Sequence, residues 1–217
     1  MRKRLRDGER RVKSRTEAPG SAVTLNPMAS NSKNGKNDSP NLIWVDCEMT
    51  GLDLNKDALV EIAVLVTDAQ LNVLGEGVDL VIKCDQASLD GMNDFVREMH
   101  TASGLITEIP NGVTHAEAEA AILEYLAKYA PEAGKSPLAG NSVYVDRGFI
   151  ARDLPAFNAY LHYRTIDVST IKELARRWYP RTYFSAPKKT GNHRALGDIR
   201  DSIDELDYYR SSIFIKD

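Results

Sequence analysis

From Asn41 onward, apolar and polar positions follow two rhythms, one of strands and one of helices. Leu42, Ile43, Trp44 and Val45 form an apolar, β-prone run without a breaker, as in a central strand covered on both faces, and Asp46, Cys47 and Glu48 continue it. Residues 59–67 (LVEIAVLVT) and 71–83 (LNVLGEGVDLVIK) read as second and third strands, with a short hairpin turn at Asp68-Ala69-Gln70. Residues 92–103 read as a short helix closed by Gly104. Thr114-x-x-Glu117 is a capping box, and the helix behind it buries Ala118, Ile122, Tyr125, Leu126 and Tyr129 until Pro131 stops it.

Residues 137–145 (PLAGNSVYV) give a fourth strand that breaks at Gly140-Asn141. Residues 149–161 are helical with an interruption near Pro155, and 164–168 (RTIDV) form a fifth strand. Ser169 or Thr170 caps the next helix, with Glu173 at capping-box spacing from Thr170. That helix ends at Pro180, and Arg181 opens a polar loop, RTYFSAPKKTGN. A final helix from about His193 to Ile213 carries Leu196, Ile199, Ile203, Leu206 and Ile213 mostly three or four apart. Three adjacent strands, then helices alternating with two more, predict an α/β domain. Its central mixed five-stranded sheet would be flanked by helices, the first three strands antiparallel and the others joined by crossovers.

Composition changes this picture at the N-terminus. Residues 1–40 hold few large apolar side chains and ten basic against four acidic residues. Such a segment cannot offset its ordering entropy, so 1–40 are expected to be a disordered basic tail before a domain at 41–217. The folded pattern needs nothing before about Ser39, so Met28 is an alternative start. The whole chain has 28 basic and 31 acidic residues, which leaves 18 and 27 for 41–217. An acidic body argues against a long nucleic-acid track, which needs a basic surface, but not against a small anion held at one pocket. Cys47 and Cys84 are the only cysteines and form no CxxC site, which fits a reducing cytoplasm. There is no apolar run of membrane-spanning length and no signal-peptide core.

The chemistry begins on the first strand. Side chains two apart share a face, so Asp46 and Glu48 point one way and Cys47 the other, into the core. Adjacent carboxylates repel, and a divalent cation resolves the conflict; oxygen-only donors suit hard Mg²⁺ or Mn²⁺. Taken alone, the pair also reads as an exposed strand terminus. Glu61, inside the apolar second strand, reads either as a group near the metals or as a locally paired carboxylate. Asp146, after the fourth strand in GNSVYVDRGF, is a ligand or the N-cap of the helix carrying Phe149. His193 and Asp198 sit in HRALGD. Five positions apart on a helix is about 140° around it, so His193 must lie at or before the first turn and Asp198 one turn in. Each also has an ordinary surface reading; their joint occurrence points to a site.

Five blocks in order, WVDCEMTGLD, MHTASGL, GKSPLAGNS, HYRTIDVSTIKELARRWYP and GNHRALGDIRDSI, resemble the DEDDh exonucleases of the ribonuclease H-like fold, and among them the oligoribonucleases. The resemblance runs from about Asn41 to the C-terminus and leaves 1–40 outside. It departs at Phe95, where the family often carries tryptophan, and at Tyr144-Val145. It implies two Mg²⁺ or Mn²⁺ ions held by Asp46, Glu48, Asp146 and Asp198, with His193 taking the proton of the attacking water. Nucleoside 5′-monophosphates would leave from the 3′ end of very short RNAs. Gly51 would let backbone approach the substrate, Leu52 resembles a wedge between two bases, and Phe95 would stack on a base. His100 and Ser142 resemble groups near the terminal phosphate. Tyr163 and Arg164 match residues that the family contributes from a second subunit, so a homodimer is implied. Ser169 and Thr170 lie near that phosphate cap, although helix capping explains them as well. The rivals are a DEDDh enzyme acting on DNA or longer strands, and a catalytically inactive binding module.

Overall fold

The sheet grows outward from the strand that carries the acidic pair. In the computed structural model, which describes residues 39–188 and 193–215, β1 (Leu42–Met49), β2 (Leu59–Thr67) and β3 (Val73–Val81) form an antiparallel meander. All of β2 is buried, as its unbroken apolar run requires. Three short helices follow: α1 (Gln86–Asp90), α2 (Asp94–Ala102) and α3 (Leu105–Glu108). Asn93 caps α2 by accepting from the Val96 amide, and Gly104 takes the left-handed conformation (φ 81°) that ends it. The long helix α4 (His115–Tyr129) starts at the Thr114–Glu117 capping box, with both reciprocal bonds formed.

Then come β4 (Leu138–Gly140), α5 (Tyr144–Asp153), α6 (Pro155–Tyr160), β5 (Thr165–Asp167), α7 (Val168–Trp178), α8 (Pro180–Phe184) and α9 (Ala195–Ile213). Among the described residues the sheet has five strands in the order β3-β2-β1-β4-β5, with β4 parallel to β1 and β5 parallel to β4. No helix among the described residues is long and apolar enough to cross a membrane. The expected tail and the Met28 start fall almost entirely outside the described residues.

The alternation of β1 divides the core in two. Ile43, Val45 and Cys47 face α4 and α5, meeting Ile122, Leu126, Phe149 and Ile150. Trp44 faces the other way, with Ala63 and Leu65, toward Ala195, Ile199 and Ile203 of α9. The Trp44 ring nitrogen donates to the Thr67 hydroxyl at 2.9 Å, so the one polar atom of that ring is satisfied. Asp46 and Glu48 share the face of Trp44 and so emerge where α9 begins.

Five local expectations are corrected. The fourth strand breaks at Gly140 as expected, but Val143-Tyr144-Val145 turns into α5 instead of resuming it. A Cβ on Gly140 would sit 2.7 Å from the Val45 carbonyl, so strands approach too closely there for any larger residue, and Ser142 (φ 51°) then reverses the chain. Asp146 therefore lies in the first turn of α5 rather than ahead of it. The cap of α7 is Asp167, not Ser169 or Thr170, because its carboxylate accepts from the Ser169 amide at 2.9 Å. Pro180 does not only end a helix; it opens α8, where its missing N–H costs nothing. The third strand is shorter than its apolar run, since Leu71 takes φ 72°. The short helices α1 and α3 carry too few residues to show a period.

Candidate active site

The end of β1 and the first turn of α9 bring three carboxylates together. Asp46, Glu48 and Asp198 each offer an oxygen to one space, all within 4.8 Å of one another. Glu48 is buried, and burial pushes its pKa up to about 8, reinforced by the charges of Glu61, Asp198 and Asp146 and opposed by Arg194. Three carboxylates held against their own repulsion, with oxygen donors only, fit a hard divalent cation.

Asp146 lies beside this cluster, close enough for its charge to raise Glu48. The odd-numbered amides of β1 point toward β4, as the Ile43 N–H does in donating to Pro137 at 3.1 Å. β4 has ended by this point, and the amide and thiol of Cys47 hold the Asp146 pKa down against the rise from burial. Burial pushes Asp146 up to about 7, and burial with the Asp146 charge pushes the Cys47 thiol well above its ordinary value.

His193 lies just before α9, exposed, with φ 49°, as the five-residue spacing to Asp198 requires. Glu61 proves to be a paired carboxylate: it accepts from Arg194 Nε at 2.8 Å and from the Ala195 amide at 3.3 Å. His100 is fully buried, behind Glu48 rather than on the surface. Its Nε2 lies 2.9 Å from the Met49 carbonyl and its Nδ1 3.9 Å from Glu48 Oε2, and burial lowers its pKa.

A cleft opens from Glu48. Its volume is about 470 Å³, and Leu52 and Phe95 form its walls with Gly51, Val96 and Met99. Leu52 and Phe95 are 72% and 74% exposed, unusual for large apolar side chains and available to a flat ligand. The loop bearing Leu52 is braced. Asp57 accepts from the Asp53 amide at 2.7 Å and Arg152 donates to the Leu54 carbonyl. A Cβ on Gly51 would strike the Asp57 carboxylate at 2.3 Å, so this glycine shapes the loop.

A family model described as Exonuclease matches residues 43–206. The oligoribonuclease of Streptomyces avermitilis is 62% identical over 174 residues, covering 80% of this chain and 87% of its own. The chain belongs to the oligoribonuclease family. The oligoribonuclease of Leifsonia xyli is 61% identical over 177 residues (82% and 86% covered), and that of Mycobacterium bovis 57% over 175 (80% and 81%). Among solved structures, the zinc-bound complex of Escherichia coli exonuclease I with single-stranded DNA superposes with a TM-score of 0.61 at 16% identity. It covers 81% of this chain and 41% of that one. The exonuclease I of Methylocaldum szegediense gives 0.57 at 21%, covering 80% and 41%. At those identities the likeness is one of fold, and the chain spans about two fifths of those proteins.

The remaining residues expected from the oligoribonuclease resemblance fall into two places. Ser142 and Ser169 meet at the C-terminal ends of β4 and β5, their hydroxyls 3.1 Å apart, with Thr170 exposed beside them. Asp167 accepts from the amides of both serines. Asn141 accepts from Ser169 at 3.0 Å and donates to Ser202 at 2.7 Å, tying this group to α9. Tyr163 and Arg164 lie instead before the N-terminal end of β5, with Tyr163 exposed. Arg147 holds the backbone there through the His162 and Tyr163 carbonyls. Sequence reasoning missed Asn141, Asp167 and Arg194 as parts of the site. Asn141, beside Gly140, and Arg194, beside His193, carried a signal by adjacency alone.

The carboxylate repulsion has a measurable consequence. A carboxyl whose pKa is raised on folding holds its proton more tightly folded than unfolded. Its contribution to stability is full at low pH and is lost as pH rises, for Glu48 between its ordinary 4.5 and about 8. Protein stripped of metal should therefore show Mg²⁺ raising its melting temperature more at pH 8 than at pH 6. Equal shifts would show that the ion does not bind these carboxylates.

Proposed function

We propose that this protein is a 3′-to-5′ exoribonuclease that degrades very short RNAs, dinucleotides foremost, to nucleoside 5′-monophosphates, using Mg²⁺ or Mn²⁺ and acting as a cytoplasmic homodimer. The observation that carries the reading is the junction of a three-carboxylate cluster with a cleft walled by exposed Leu52 and Phe95. Family membership supports it.

Asp46, Glu48 and Asp198 would hold divalent ions, with Asp146 at their flank. Such ions, when bound, neutralise charge on the phosphate and acidify the attacking water. Phe95 would stack on a base, a contact worth about 1–3 kcal/mol and indifferent to which base it is. Leu52, on its braced loop, would separate one base from the next. His193, exposed at the mouth of the cluster, would take the water's proton. Ser142 and Ser169, with Thr170, would receive the 5′ phosphate and so limit length. The acidic body supports end contacts over a backbone track.

The dimer rests on where Tyr163 and Arg164 lie. The carboxylates stand at the C-terminal end of β1, while these two residues stand at the N-terminal end of β5, parallel to it through β4. Arg164 would serve a neighbouring subunit's site, where a guanidinium pairs strongly with a terminal phosphate. The stretch from Tyr163 to Phe184 also exposes Ile166, Trp178 and Tyr179, apolar surface suited to a second copy. Cys47 and Cys84 are both free, which accords with a reducing compartment.

A length series of 5′-phosphorylated RNAs, assayed with each metal, tests the reading. The dinucleotide is expected to be cut fastest, yielding only 5′-monophosphates; faster cleavage of long strands or of DNA would reject it.

A further inference from the structure

The start of α9 is held in an unusual way. Its N-cap position is Arg194, which makes no side-chain cap bond. Serine, threonine, aspartate or asparagine ordinarily serves there. The missing acceptor comes from β2, where Glu61 Oε2 receives the Ala195 amide at 3.3 Å. The other oxygen of Glu61 receives Arg194 Nε at 2.8 Å. The two outer nitrogens of Arg194 grip Glu108 of α3, at 3.0 and 3.1 Å. One guanidinium thus joins a fully buried carboxylate to a half-exposed one.

A buried ion pair is poor evidence for stability, since its desolvation offsets its attraction. What surrounds this pair suggests another use. Arg194 directly follows His193, a non-glycine residue held at positive φ, a conformation that persists only where its surroundings enforce it. Asp198, one turn on, donates its amide to the Arg194 carbonyl at 3.1 Å. Glu61 is the cross-strand partner of Glu48. Glu108, on α3, ends the segment packed behind α2, the helix near the start of which Phe95 stands.

We propose that Arg194 is a positioning residue: clamped between Glu61 and Glu108, it holds His193 in its reactive orientation and ties that orientation to the wall of the base cleft. The inference rests on His193 being the proton acceptor. A displacement of about 1 Å in a reacting group costs on the order of 10²-fold, so Arg194→Gln should lower kcat roughly 10- to 100-fold. KM and the Mg²⁺ concentration for half-maximal rate should stay within about twofold. Arg194→Lys, which keeps the charge but cannot span both carboxylates, should recover part of the loss.

The deciding measurement is a double-mutant cycle with His193→Ala on a dinucleotide. If Arg194 acts through His193, adding Arg194→Gln to His193→Ala costs nothing more. A loss equal to the product of the two single losses, or a weakened Mg²⁺ dependence, overturns the proposal and leaves His193 as the base. Nearly full activity of His193→Ala would instead reject the underlying reading. Should Arg194→Gln not fold, Glu108→Gln removes only the outer pair. It should lower kcat severalfold in the parent and not at all in His193→Ala; an equal loss in both backgrounds, or none in the parent, overturns the proposal.

Discussion

Asp198→Asn is expected to abolish hydrolysis, by roughly 10³-fold or more, because a divalent site loses a charged ligand that cannot be replaced from solvent in the same geometry. The fold should survive. Removing the carboxylate from the first turn of α9 costs about 0.3–1 kcal/mol of helix-dipole interaction. It also relieves the repulsion that helps push Glu48 upward. These effects oppose each other, so metal-free Asp198→Asn should melt close to the parent, while the added stabilisation by Mg²⁺ largely disappears. Dinucleotide turnover and melting curves with and without Mg²⁺ check both halves. Unchanged turnover would show that the ligand assignment is wrong.

Arg164→Ala should slow dinucleotide cleavage by about 10- to 100-fold, the loss of a charge-assisted contact to phosphate. Asp46→Ala should be inactive on its own. Mixed and allowed to exchange subunits, the two variants should regain activity. A dimer holding one of each has one site with both an intact acid cluster and an intact Arg164 from its neighbour. With random pairing this is about a quarter of the parent's sites. Unmixed controls isolate the effect. Failure to regain activity, alongside an impaired Arg164→Ala, would place Arg164 in its own subunit's site; sedimentation of a fully active monomer would remove the dimer altogether.

What could be read in advance depended on how local the determining contact was. Asp46 and Glu48 share a face by strand alternation alone, and the helical period alone set His193 ahead of the turn that carries Asp198. The capping box at Thr114 and the helix stop at Gly104 were legible for the same reason. The break of β4 at Gly140-Asn141 was legible too; the turn of Val143, Tyr144 and Val145 into α5 was not, because all three are β-prone. Glu61 stayed undecided because its partner lies 133 positions away. The α7 cap was misassigned to Ser169 or Thr170, both good caps just after Asp167; the further bond of Asp167 to the Ser142 amide, 25 positions away, could not be read in advance. Asp146 was expected beside the other acids, and its charge does reach Glu48; that it would do so from the first turn of α5 was not legible, since that depends on where the helix starts.

The docking of α9 also bears on how the chain comes to be folded. Until that helix arrives, Trp44, Ala63 and Leu65 form an open apolar sheet face, and the acid cluster lacks a member. A chain emerging from the ribosome therefore carries a sticky surface and an unfinished nuclease together, and the same late event closes both. Contacts this distant in sequence fold slowly, and transiently open sheet faces invite aggregation. Substitutions that weaken the seat of Ile199 or Ile203 should accordingly reduce soluble yield and specific activity in parallel.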